Sequence, residues 1–359
     1  MTRVAVIPGD GVGPEVIAVA CRALEAAGRA AGIAYEFEEL PWGADHYLAT
    51  GETLPDGAPE RLRAGYDAIL LGALGDPRLP DNRHAREILL GLRFRLDLYL
   101  NLRPARLLHP DLCPLKERRD GRRRTIDLVV FRENTEGAYV GLGGNFKPGT
   151  PDEVAINEDL NTYAGVKRIV RAAFDHAIQE GLPRVTMSDK ANALPFAHGL
   201  WRRVFAEVAA EFPFVRTETE YVDALAMKLV RHPEHYSVIV TSNLFGDILS
   251  DLAAGLVGGL GLAASASLHP GRIGLFEPVH GSAPDLAGLG TANPMAAILS
   301  AALLAEHTGA PEVGRRLEAA VRDALAEGVG TPDVGGLGTT ATVGDWICAR
   351  LEAAPVGAP

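Results

Sequence analysis

Strands that alternate with helices along most of the chain predict an α/β fold built largely on parallel strands. Three observations carry this expectation. The chain opens as strand, glycine turn and helix over VAVIPGDGVGPEVIAVACRALEAAG. Apolar, β-branched runs then recur in YDAILLGAL (66–74), IDLVVFREN, PRVTMSDKAN and HYSVIVTSN. Helical patterns separate these runs, the rhythm of parallel strands joined by crossover helices. With 359 residues, 47% of them apolar, the chain can build two domains of ordinary size or one large one.

Taken in order, each element has a local reason. In the first helix Val16, Ile17, Val19, Ala20, Leu24 and Ala27 form one stripe, and Pro14 suits the first turn. A second helix candidate precedes the strand at 66–74. After a Pro-rich loop, HAREILLGLRFRLDLYLNLRP is helical to about Leu98 and extended beyond it. The segment GAYVGLGGNFKPGTPDEVAINEDLN (137–161) breaks the alternation. Two extended runs flank a Gly/Pro loop there, so a hairpin or arm is expected. From Asn293 onward the pattern is helical, with NPMAAILSAALLAEH as a buried helix. Only the final APVGAP looks loose.

Composition excludes several classes of function. A net charge of −11 argues against a general nucleic-acid binder. The one basic run, KERRDGRRRT (116–125), is interrupted by acid and glycine and suits a solvated loop. No charge-free run of 18 apolar residues predicts a membrane span. The opening MTRVAVIPGD enters a strand at once and lacks the parts of a signal peptide. Cys21, Cys113 and Cys348 lie far apart, without metal spacing, which suits a reducing compartment. A soluble cytoplasmic protein is therefore expected. GDGVGP (9–14) is not a dinucleotide fingerprint, because the third glycine position of G-x-G-x-x-G holds Pro14. No Ser-His-Asp series, zinc cluster, P-loop or DNA-binding motif is present.

Several constellations could carry chemistry. SNLFGDILSDLAAGLVGGLG (242–261) is largely apolar yet holds Asp247 and Asp251 four residues apart. That spacing puts both carboxylates on one helix face. Such a pair serves capping and solvation, or repels itself unless a cation sits between the two. Oxygen ligands of this kind suit Mg²⁺ or Mn²⁺. Arg93 in GLRF, Arg103 in NLRP and Arg132 in FREN each stand at the edge of an apolar pattern. One such arginine is usually a structural ion pair; three favour a site for carboxylates, which a guanidinium grips with two parallel bonds. Lys190, in SDKANAL, is one of only five lysines, and a lysine can lose its proton where an arginine does not. Asp223, in YVDALAMKL, suits a helix cap or a metal ligand; Tyr139 alone suits packing. FEPVHGSAPDLAGLGTANP (276–294) has loop chemistry, and His280, Asp285 and Asn293 offer polar groups to an adenosine.

The combination of GDGVGPEV, NLRP, RENTEG, SDKAN, NLFGDILSDL and EPVHGSAPD…ANP resembles the β-decarboxylating dehydrogenases. That family contains isocitrate, homoisocitrate, tartrate and 3-isopropylmalate dehydrogenases. The resemblance runs from GDGVGPEV to TPDVGG, almost the whole chain. It implies an isopropylmalate dehydrogenase-like fold of two domains with a central cleft, not an ordinary Rossmann domain. Residues 1–101 and 258–359 would form an NAD-binding domain. Residues 102–257 would form a second domain for dimerisation, metal and substrate, with an arm near 137–161 that clasps a partner.

The resemblance also implies roles. Arg93, Arg103 and Arg132 would bind substrate carboxylates. Asp247 and Asp251 would bind the divalent cation, completed by Asp223 from the second subunit of a homodimer. Lys190, also from the second subunit, would assist loss of the hydroxyl proton, and Tyr139 would protonate the enol. Glu277, His280, Gly281, Ser282, Ala283, Asp285 and Asn293 would lie against NAD. Isopropylmalate enzymes carry two leucines ahead of the first arginine, as Leu89 and Leu90 stand here. RENTEG instead resembles the isocitrate, homoisocitrate and tartrate branches, and LGALGDPRLP the tartrate branch. The substrate expected is 3-isopropylmalate, with tartrate or malate next. A non-catalytic regulatory subunit is the reading from another class; such subunits lose the Lys, Tyr or Asp residues retained here.

Overall fold

A computed structural model describes residues 1–118 and 120–353; the APVGAP tail and one arginine of the basic run lie outside them. In chain order the elements begin β1 (Thr2–Ile7), α1 (Gly13–Ala31), β2 (Tyr35–Glu39), α2 (Ala44–Thr50), α3 (Ala58–Gly65), β3 (Ala68–Leu71), α4 (Arg83–Arg95) and β4 (Leu100–Arg106). They continue with β5 (Asp127–Glu133), β6 (Gly143–Phe146), β7 (Val154–Asn157), α5 (Tyr163–Gln179), β8 (Arg184–Asp189), α6 (Ala197–Ala209), β9 (Arg216–Tyr221), α7 (Val222–Arg231), β10 (Val238–Thr241) and α8 (Asn243–Leu256). The chain closes with β11 (Ala264–Leu268), β12 (Gly274–Pro278), α9 (Met295–His307), α10 (Pro311–Ala326) and α11 (Thr340–Ala353).

The chain divides into two compact units. The first comprises Met1–Leu98, Leu107–Arg123 and the chain from Ala254 on; the second comprises Tyr99–Arg106 and Arg124–Ala253. Residues 107–123 therefore go with the first unit, whereas the sequence reading kept 102–257 together.

In the first unit the strands run in the order β2-β1-β3-β12-β11. β1 pairs parallel with β2 and β3, and β3 parallel with β12, but β11 is antiparallel to β12. β3 lies beside a strand from the far end of the chain, which an ordinary Rossmann order does not do. The stripe expected on α1 is buried throughout. α9 is buried nearly all round, as its run of Ala, Ile and Leu requires. A core cluster joins Ile7, Trp42, Ile69 and Leu71 to Ile88, Leu92 and Leu96 of the α4 segment.

In the second unit the order is β4-β5-β10-β8-β9. β4 and β5 are antiparallel, and the remaining neighbours are parallel. α5 and α6 bury Val166, Ile169, Phe174, Trp201 and Phe205. β6 and β7 form the antiparallel hairpin expected within 137–161. The parallel expectation thus holds for most pairings and fails at β4–β5 and β11–β12.

Two further corrections concern boundaries. α4 ends at Arg95, not near Leu98. The segment from Phe276 is not loop from its start, because Phe276–Pro278 belong to β12. No helix among the described residues is long and apolar enough to cross a membrane.

Candidate functional site

In the second unit, β5 ends with Arg132, which is 2% exposed. Its Nε and Nη2 donate to Asn243 Oδ1 at 3.0 and 2.8 Å, and its Nη1 donates to Asp247 Oδ1. α8 can lie this close because residue 246 is glycine: a Cβ there would fall 2.5 Å from Arg132 Cγ. Tyr139, in a single turn after β5, donates its hydroxyl to Asp247 Oδ2 at 2.8 Å and stacks under Arg132. One turn along α8, Asp251 Oδ1 stands 3.5 Å from Arg103 Nη1 of β4. Arg103 is oriented by Asn101 at 2.9 Å. Burial raises the Asp251 carboxyl above its ordinary pKa; the Asp247 charge adds to this, and Arg103 and Arg132 oppose it.

Five of the expected residues thus meet along one face of α8. The pair Asp247–Asp251 has the chemistry a hard divalent cation needs: two carboxylates one helical turn apart on the same face of α8. Among the described residues no group of three His, Cys, Asp or Glu side chains gathers to hold a metal. Asp223 stands elsewhere in the chain, in the first turn of α7, 2.6 Å from Lys190 Nζ. The hydrogen bond from Lys190 holds the Asp223 carboxyl below its usual range.

RENTEG does structural work. The buried Glu133 accepts from Thr135 N at 3.0 Å and Glu136 N at 2.6 Å. Glu136 accepts from Thr162 N and Oγ1 at 2.8 and 2.6 Å, where Thr162 caps α5. Its carbonyl accepts from Asn243 Nδ2 at 2.9 Å, and Gly137 N donates to Leu160 O at 2.7 Å. The motif therefore ties β5 to the base of the hairpin and to the start of α8.

In the first unit, α4 carries Arg93, which is 4% exposed and donates from Nη2 to Glu277 Oε1 at 2.8 Å. Its Nε is buried without a partner, a cationic donor suited to an anion. Leu90 and Arg93 share a face, three residues apart. The two leucines differ: Leu89 packs against the core cluster, while Leu90 is half-buried outside it.

The loop after β12 holds the remaining candidates. His280 Nδ1 donates to Gly281 O at 3.0 Å, which leaves Nε2 as an acceptor, buried and unpartnered. Burial lowers its pKa and keeps the ring neutral. That atom can accept from an adenosine hydroxyl or amine, so the loop fits a dinucleotide. Ser282 is buried, Gly281 and Asp285 are exposed, and Ala283 takes a left-handed φ of 38°. Asn293 is held within the chain: Nδ2 donates to Asp333 and Oδ1 accepts from Met295 N, both at 3.0 Å. Its side chain builds the loop and the start of α9.

Two structural parts escaped the sequence reading. Asn243 is one helical turn before Asp247, a spacing that could have flagged it. Asp10, inside the glycine turn, is a buried hub: it accepts from Ala44 N, Gly75 N and His84 Nε2 at 2.6, 2.8 and 2.9 Å. The turn then braces the later loop, since Val12 N donates to Ser282 O at 2.9 Å. Residue 11 must be glycine here, because φ is +56° and a Cβ would meet Ser282 O at 2.0 Å. A buried carboxylate flanked by two glycines was the available signal.

Comparison with known proteins places this geometry. The family model for isocitrate/isopropylmalate dehydrogenase matches residues 3–347. The chain is 45% identical over 351 residues to a 3-isopropylmalate dehydrogenase of Thermobifida fusca, covering 97% of each chain. It is 48% identical over 354 residues to a 3-isopropylmalate dehydrogenase of Leifsonia xyli, again covering 97% of each. The crystal structure of isocitrate dehydrogenase from Methylococcus capsulatus superposes with a TM-score of 0.89 at 37% identity, covering 98% of this chain and 100% of that one. Arginines and an aspartate pair disposed as above, in a chain matched along nearly its whole length, identify an oxidatively decarboxylating dehydrogenase: the chain belongs to the isocitrate/isopropylmalate dehydrogenase family.

Proposed function

We propose that the chain oxidises and decarboxylates 3-isopropylmalate, using NAD and Mg²⁺ or Mn²⁺. The observation that carries this reading is the face of α4, where half-buried Leu90 stands one turn before buried Arg93 with its unpartnered Nε. A substrate with a carboxylate and a branched apolar group suits that face. A hydroxyl or second carboxylate at Leu90 would lose its partners from water and find none. Relatives at 45% and 48% identity carry the name 3-isopropylmalate dehydrogenase, which supports the same substrate. RENTEG resembles the isocitrate and tartrate branches, but beyond Arg132 the Glu136 side chain bonds to Thr162 at the hairpin base and its main-chain carbonyl to Asn243 of α8.

In this reading Arg93, Arg103 and Arg132 hold the substrate carboxylates and orient the hydroxyl-bearing carbon. Asp247 and Asp251 hold the cation, with Asp223 supplied by the second subunit of a homodimer. When bound, the cation supplies charge to stabilise the oxygen of the reacting carbon, and NAD supplies the hydride acceptor. Lys190, delivered from the second subunit, takes the hydroxyl proton at Nζ. Tyr139 gives its hydroxyl proton to the carbon left by CO₂, releasing the bond by which that hydroxyl otherwise donates to Asp247. Glu277, His280, Gly281, Ser282, Ala283 and Asn293 receive the cofactor. Asp285, exposed in the same loop, accepts from the ribose diol and repels a 2′-phosphate, so NAD is preferred to NADP.

The test is NADH formation from 3-isopropylmalate with Mg²⁺ or Mn²⁺, repeated after exhaustive chelation and with NADP. The reading expects turnover that stops on chelation and is weaker with NADP. Full turnover without a divalent cation would remove the role given to the aspartates.

A further inference from the structure

α6 carries a histidine that the reaction above does not use. His198 is 1% exposed, and its Nδ1 stands 3.2 Å from the main-chain N–H of Lys190. An N–H donates only to a ring nitrogen that lacks a proton, so Nδ1 is the acceptor and the neutral ring carries its proton on Nε2. Burial lowers the pKa of this ring and favours that neutral form, against the pull of Asp159 and Asp189. Nε2 faces Asp159 Oδ2 at 3.7 Å, just beyond β7 at the base of the hairpin. The ring also packs on Phe245 of α8, with centroids 5.1 Å apart.

Lys190 is held from several sides. Its carbonyl accepts from Ala193 N and Leu194 N at 2.9 and 2.8 Å. The residue before it, buried Asp189, accepts from Ala191 N at 2.6 Å and Arg202 Nε at 2.8 Å. Its Nζ meets Asp223 Oδ1 at 2.6 Å. Of these anchors, the one on the Lys190 N–H comes from His198, eight residues further along the chain.

We infer that His198 is a positioning residue: by accepting the Lys190 N–H and packing on α8, it fixes the main-chain turn from which the Lys190 amine reaches the substrate hydroxyl. This rests on the role given to Lys190 under Proposed function. A side chain of the same volume without an acceptor would leave a donor unpaired and let the turn rotate. Displacements near 1 Å at a reacting group cost up to about a hundredfold in rate.

Three variants test this, each assayed with 3-isopropylmalate alongside its melting temperature. His198→Leu removes the acceptor and is expected to lower kcat by roughly ten- to a hundredfold. The substrate KM should stay within about twofold, because ground-state binding does not use Lys190. His198→Asn, whose Oδ1 can stand near the place of Nδ1, is expected to recover kcat to within about threefold of the parent. Should His198→Leu not fold, His198→Ala makes the same comparison with His198→Asn. Parental kcat in the variant without an acceptor overturns the inference, as does His198→Asn equally slow, or a loss confined to KM. Lys190→Met separates this from the underlying reading. If it retains turnover, the role of Lys190 fails; if it is inactive while His198→Leu is fully active, only the positioning role fails.

Discussion

Leu89 and Leu90 are adjacent in sequence and have different work. Leu89 packs on the cluster that holds Ile88, Leu92 and Leu96, and half-buried Leu90 is not part of that cluster. Leu89→Ser should therefore lower the melting temperature and leave substrate preference nearly unchanged. Leu90→Ser should leave the melting temperature nearly unchanged and reduce the preference for 3-isopropylmalate. Burying an isopropyl-sized group contributes roughly 1.5–3 kcal/mol, or about one to two decades in kcat/KM. Selectivity lost in Leu89→Ser and kept in Leu90→Ser would reverse the assignment. The sequence could not separate the two, because periodicity places both near the arginine, and only packing shows which one is taken by the core. Asp76 offers a pH test in the loop before α4. The hydrogen bond from Arg78 lowers its pKa to about 2. A lowered carboxyl stabilises the fold above its unfolded pKa, and this is lost as pH falls toward the folded value. The stability difference between parent and Asp76→Asn, from urea unfolding, should be constant from pH 7 to about pH 5 and shrink below about pH 4. A difference that grows on acidification would contradict the pairing.

Among elements, the strands that were legible are those buried on both faces. β3 (AILL) and β10 (VIVT) are almost wholly apolar, β5 is apolar through LVVF, and β8 (RVTMSD) alternates Val and Met with polar residues that are themselves buried. The strands missed carry another signature. β2 (YEFEE) and β9 (RTETEY) are the terminal strands of their units' orders and are rich in charge. Charge suits an edge and hides the strand from a hydrophobic reading. β11 (ASASL) is buried but made of small residues. The hairpin was legible from its turn chemistry, and its consequence lies in one face. Phe146 pairs with Val154, and Ile156 with Gly144, which puts the three large apolar side chains together. They are 65%, 46% and 53% exposed. A two-stranded ribbon with a bare apolar face is marginal by itself, which suits a clasp on a second copy. With the hairpin as the clasp of the proposed homodimer, Ile156→Asp should shift that dimer to monomer in sedimentation and lower activity. A fully active dimer in that variant would show that the hairpin has another purpose.

For the whole molecule, the motifs singled out the aspartate pair and the arginines, because each sets charge in an apolar frame, and the 276–294 loop by its polar, glycine-rich chemistry. What they did not reveal was the support: Asp10 braces loops far apart in sequence, and Asn293 is turned inward, contacts set by tertiary packing alone. Lys190 and Asp223 pair with each other, and the proposed homodimer gives them to the second subunit's site. A mixture of Lys190→Met and Asp247→Asn chains should then regain part of the activity that each lacks. No recovery in demonstrated heterodimers would count against a shared site. The central claim is the substrate. Its most direct measurement is kcat/KM for NADH formation with 3-isopropylmalate, isocitrate, homoisocitrate, tartrate and malate, each with saturating Mg²⁺ or Mn²⁺. The account predicts that 3-isopropylmalate leads by about one to two decades, the worth of its side chain against Leu90. Equal or better turnover of tartrate, malate or either tricarboxylic acid would contradict it.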